Sequence, residues 1–77
     1  MIEDPYPWAL YRAVFQDELS RRLLLLTERE RRVILLRFGM VDGVQYRLEA
    51  VGEQMGHISR ERVRQIEAGA LLKMRQG

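Results

Sequence analysis

Residues 59–75 read Ser-Arg-Glu-Arg-Val-Arg-Gln-Ile-Glu-Ala-Gly-Ala-Leu-Leu-Lys-Met-Arg, and the architecture follows from them. Ser59 is a favourable N-cap, because its short hydroxyl can accept from an amide that the first helical turn leaves unpaired. On a helical wheel Val63, Ile66, Ala70 and Met74 fall within about 80° of one another, whereas Arg60, Glu61, Arg64 and Gln65 occupy a separate arc of about 140°. The segment is therefore a helix with a core face and a polar face. All four polar residues lie in its first two turns, and their chemistry suits base edges. Arginine can fork to guanine, glutamate can accept from the amino group of cytosine, and glutamine can pair with adenine.

Immediately upstream, Leu48, Val51, Gly52 and Met55 have helical spacing, and Gly56 closes a short helix. Two helices joined by a tight glycine-containing turn, the second rich in arginine, form the layout that places a helix in the major groove. Gly52 is the small residue expected where the two helices cross, with Val63 plugging the second onto the first. The turn Gly56-His57-Ile58 is slightly long.

Further outward, Thr27-Glu28-Arg29-Glu30 predicts a reciprocal N-terminal cap, in which hydroxyl and carboxylate each satisfy an orphan amide. The helix it opens, over residues 27–38, directs Val33, Ile34, Leu36 and Phe38 inward and stops at Gly39, a residue able to take the left-handed conformation. Residues 40–46, with Asp42-Gly43 among them, read as a loop. At the N-terminal end, Asp4-Pro5-Tyr6-Pro7 suits a helix start, and Tyr11, Phe15, Leu19 and Leu23 recur on one stripe of a helix predicted over residues 8–25. Trp8 and Tyr6 sit at its loose end, placed to touch a partner. The fold expected is all-α: one compact four-helix domain over residues 1–77 with a C-terminal helix-turn-helix over 48–75 and no wing.

Composition narrows the function classes. The chain has 77 residues, 47% hydrophobic and 31% charged, enough for one modest core and too few to enclose an active site. There is no cysteine, which excludes disulfides, thiolate zinc sites and thiol nucleophiles and fits a reducing cytoplasm. His57 is the only histidine, so no metal site or triad can form around it. No catalytic constellation and no cofactor site is expected. No apolar run reaches membrane-span length, and the start Met1-Ile2-Glu3-Asp4 is acidic where a signal peptide is basic, so the reading is cytoplasmic. The formal charge is only +2, but residues 57–77 carry five bases against two acids. Twelve of the thirteen basic residues are arginine, whose planar fork grips phosphates and guanine edges.

The blocks Leu26 to Gly39, LTERERRVILLRFG, and Ser59 to Arg75 resemble conserved region 4 of the sigma-70 family of RNA polymerase sigma factors, in the same order and separation. LuxR-type regulators share an LTERE-like opening but lack the RERVRQIEA helix. The resemblance implies recognition of the −35 element of double-stranded promoter DNA, docking on the beta-subunit flap of RNA polymerase, and an anti-sigma factor or activator as a further partner. It implies a bacterial or phage-encoded protein with no membrane and no small-molecule substrate. Carried over residue by residue, Arg60, Glu61 and Gln65 fall at base-reading positions, with Arg64 on base or phosphate. Arg29, Arg37, the Leu48 amide and Ser59 fall at phosphate-facing positions. Phe38, Met40, Leu71 and Met74 fall at flap-contact positions, where ordinary core packing is the competing expectation.

The chain also departs from the family pattern. Arg47 and Ala50 stand where threonine and glutamate usually cap the third helix. Glu53 replaces a phosphate-facing lysine, which weakens attraction to DNA. His57 is one residue more than the usual turn, with room to tilt the reading helix. Gly69 replaces a lysine that commonly meets activators and costs roughly 1 kcal/mol of helix stability relative to alanine. Two readings follow: a promoter-reading module, or a sigma-like protein-interaction module that binds polymerase or a regulator with little DNA readout.

Overall fold

Why the second helix starts and stops where it does is visible in its ends. The Thr27 hydroxyl accepts from the Glu30 amide at 3.1 Å while the Glu30 carboxylate accepts from the Thr27 amide at 2.9 Å, so the capping box is complete. The helix runs Glu28–Arg37. Past it, Gly39 takes φ +72°, and the Met40 amide reaches back to the Leu35 carbonyl at 2.9 Å, the six-to-one bond of a glycine-terminated helix.

The computed structural model describes residues 17–76. Among them are four helical segments and no strand: α1, residues 17–23; α2, Glu28–Arg37; α3, Leu48–Gln54; and α4, Arg60–Gln76. The N-terminal helix start near Pro7, the stripe positions Tyr11 and Phe15, and the loose-end residues Tyr6 and Trp8 lie outside the described residues.

The helical run of α1 ends at residue 23, two residues before the position the stripe predicts. Arg31 of α2 supplies the reason. Its guanidinium donates to the Leu23 carbonyl at 3.0 Å and to the Leu26 carbonyl at 2.9 Å, and these bonds replace the amides that a continuing helix would bring. Leu24 to Leu26 then form a turn of short-range bonds. Arg22 donates to the Met74 carbonyl, tying α1 to the far end of α4.

The main core consists of Val33 and Leu36 from α2, Val51 from α3, and Val63 and Ile66 from α4, with Tyr46, Leu48, Met55 and Ile58 packed against it. A smaller cluster of Leu26, Ile34 and Ala70, flanked by Leu23 and Met74, joins the end of α1 to α4. Each buried Val, Leu or Ile contributes about 1.5–3 kcal/mol. Phe38 does not join them, contrary to its expected inward direction. It is the C-cap of α2, with φ −102° and ψ 13°, so the chain has left the helical path and the ring is 45% exposed.

The crossing of α3 and α4 depends on Gly52. The Ile58 amide donates to the Gly52 carbonyl at 3.1 Å, and Val63 closes over the contact. In the turn between them Gly56 and His57 both take left-handed backbone, φ +93° and +63°. The Ser59 hydroxyl then accepts from the Arg62 amide at 3.1 Å and caps α4. At the start of α3, Arg47 occupies the N-cap position and makes no side-chain cap, as its identity predicts.

Candidate nucleic-acid interface

Burial of Val63, Ile66 and Ala70 fixes the rotation of α4, and rotation decides what faces outward. Arg60, Glu61, Arg64 and Gln65 are all exposed on its first two turns. They are also connected. The Arg64 fork donates to both carboxylate oxygens of Glu61, at 2.9 and 2.6 Å, and the Gln65 amide donates to the same carboxylate at 3.4 Å. The Arg64 hydrogen bond, ahead of its charge, holds the Glu61 carboxyl below its ordinary range, and the same bond raises the Arg64 guanidinium above its own. Both side chains are 58% exposed, so water screens the pair. Either group can exchange its partner for a base edge at little cost.

Arg60 reaches across to Glu49 of α3 at 3.4 Å. Here the two helices frame an open recess of about 370 Å³ lined by Arg37, Arg47, Leu48, Glu49 and Arg60. Three arginines and one glutamate thus line it together with Leu48, the first residue of a helix that starts without a side-chain cap. Such a site suits an anionic oxygen. The recess brings together Arg37, Leu48 and Arg60. It adds Arg47, whose position marks a missing cap in the sequence but whose place beside Arg37 and Arg60 depends on tertiary packing.

Arg37 is more committed than a free phosphate contact. Its Nε donates to Glu67 at 3.1 Å and its Nη1 to the Tyr46 carbonyl at 3.0 Å. Glu67 is a residue that composition and motif reading passed over. The available signal was its wheel position, about 20° beyond Met74 at the border of the core arc, where an acid needs a partner. Arg29 is exposed near the other end of α2, about 12 Å of helix rise from Arg37. Ser59 is exposed, and its hydroxyl keeps a hydrogen to donate while its oxygen caps α4. Glu53 is exposed on α3.

The four apolar positions separate. Phe38, Met40 and Leu71 are exposed, between 41% and 45%, whereas Met74 is half-buried against the Leu26–Ile34–Ala70 cluster. Core packing thus accounts for Met74 alone. Among the described residues no helix is long and apolar enough to cross a membrane.

The family described as Sigma-70, region 4 matches residues 22–76. The chain is similar to the RNA polymerase sigma-C factor of Nostoc sp., with 52% identity over 67 residues, 87% of this chain and 16% of the relative. It is similar to the RNA polymerase sigma factor SigA4 of Synechococcus elongatus, with 46% identity over 87% of this chain and 21% of the relative. With the RNA polymerase sigma factor SigA of Lactococcus lactis subsp. cremoris it shares 41% identity over 97% of its own length and 20% of the relative. The chain therefore spans about a fifth or less of the length of these relatives.

Proposed function

This chain belongs to the sigma-70 region 4 family, and from that premise we propose that it is a non-enzymatic module of transcription initiation that reads the −35 element of promoter DNA. It acts as one domain, with α4 in the major groove. Arg60, Glu61, Arg64 and Gln65 read base edges, while Arg29, Arg37, the Leu48 amide and Ser59 meet phosphates on either side. The observation that carries this reading is the rotation of α4. Its apolar stripe is buried, which leaves the four polar side chains outward beside a recess holding three arginines.

Docking on the RNA polymerase beta flap is the second part of the proposal. The exposure of Phe38, Met40 and Leu71 supports it, since an apolar side chain kept in water gains by being covered. An anti-sigma factor or activator would compete for or extend the same surface. The setting proposed is a bacterial or phage-infected cytoplasm, where promoter and polymerase are found.

The same exposed apolar residues favour one alternative, a module that binds polymerase or a regulator and reads little DNA. Titrating the chain with a −35-type duplex, a scrambled duplex and a purified flap fragment separates the two. Preference for the −35-type duplex supports the leading reading; flap binding with equal affinity for both duplexes supports the alternative.

A further inference from the structure

We infer that Glu67 is a positioning residue, which acts through Arg37 to set the spacing between the uncapped start of α3 and the reading helix α4. The inference rests on the DNA-reading proposal above and adds to it a residue that points at neither bases nor phosphates. Glu67 lies on α4, Arg37 in the last turn of α2, and Tyr46 just before α3. The Arg37 guanidinium joins all three, donating to the Glu67 carboxylate at 3.1 Å and to the Tyr46 carbonyl at 3.0 Å.

This pair differs from those on the reading arc. Its side chains are 30% and 13% exposed, against 58% for both Arg64 and Glu61, so it is less screened and its geometry is held by packing. Tyr46 is fixed from two sides, because its amide also donates to the Leu36 carbonyl at 3.1 Å. One residue later comes Arg47, which supplies no cap, and then Leu48, whose amide opens α3. A helix start without its own cap takes its position from what grips the chain before it. Here the grip is Arg37, and Arg37 is aimed by Glu67. Lysine could not replace it, since a single ammonium lacks the planar fork that serves two acceptors in fixed directions.

A simpler role makes the opposite prediction. If Arg37 were only a phosphate contact whose charge Glu67 masks, then Glu67→Gln would free it and tighten binding to every duplex. If Glu67 positions the interface, Glu67→Gln lowers preference for a −35-type duplex over a scrambled duplex of equal length. The fall is roughly tenfold, about one well-placed base contact, while affinity for the scrambled duplex holds or rises. Arg37→Lys, with net charge unchanged, gives the same loss of preference.

The experiment titrates wild type, Glu67→Gln and Arg37→Lys against both duplexes and follows, without DNA, amide hydrogen exchange at Tyr46 and Val51, which donate to the Leu36 and Arg47 carbonyls. Reduced preference together with faster exchange at those amides supports the inference. Tighter binding to both duplexes at an unchanged ratio overturns it, and so does an equal loss on both that tracks the unfolded fraction. If wild type itself shows no preference, the functional reading fails, and amide exchange alone decides the clasp. Faster exchange in Glu67→Gln retains it, and unchanged exchange overturns it.

Discussion

A β-carbon built on Gly52 would lie 2.3 Å from the carbonyl oxygen of Ile58, so the backbones of α3 and the turn into α4 touch with no side chain between them. The atom in the way is backbone, held by the Ile58 amide bond to Gly52 itself. Gly52→Ala must therefore push the two helices apart. Urea unfolding should show a loss of about 1–3 kcal/mol, the usual cost of overfilling a packed contact. A variant as stable as wild type would mean that the crossing is looser than described.

His57 carries the other strained position, with φ +63° in a side-chain-bearing residue. Left-handed backbone costs about 1–2 kcal/mol for ordinary residues and little for glycine. His57→Gly is expected to hold or raise the melting temperature slightly, and His57→Val to lower it, because a β-branched residue tolerates that conformation least. Thermal melts of the two variants in the opposite order would contradict the turn geometry.

The Glu30 carboxyl is held below its ordinary value, first by the Thr27 amide and then by Lys73, 2.9 Å away. A depressed carboxylate contributes stability that is present above its unfolded-state value, about pH 4.3, and is lost as pH falls through the folded value. Glu30→Gln should be less stable at neutral pH and should lose less on acidification. Melting temperatures of the two proteins are expected to converge as pH falls below the unfolded-state value. Parallel curves would remove the carboxylate from the account.

Much of this was legible because it is local. Thr27 and Glu30 stand three apart, Gly39 follows an apolar run, Ser59 precedes α4, and Val63, Ile66 and Ala70 share one face. Each is a relation within a helix turn or two, which spacing encodes directly. What spacing missed needed a second element. Residues 24–26 leave the helix because Arg31 arrives from α2. Phe38 turns outward because the cap bends the chain away. Arg37 falls by resemblance at a phosphate-facing position, and its bonds to Glu67 and Tyr46 appear only when three elements meet. The candidate site divides in the same way: the polar arc of α4 was visible on a wheel, and the recess at the start of α3 was not.

Arg29 is exposed near the start of α2, at the end opposite Arg37, and the phosphate contact proposed for it carries no sequence information. Arg29→Ala should weaken −35-type and scrambled duplexes equally and reduce the salt slope of binding by about 1. Titrations at several salt concentrations check this. A loss confined to one sequence would give Arg29 a different role.

If α4 reads bases, Gln65 on its second turn should determine preference at a single base pair. Wild type and Gln65→Ala are titrated against duplexes in which each base pair of the −35 element is changed in turn. The variant is expected to lose its penalty, about 1–3 kcal/mol in wild type, at one base pair and to keep the others. Penalties that shrink uniformly, or a wild-type protein indifferent to every substitution, would contradict it.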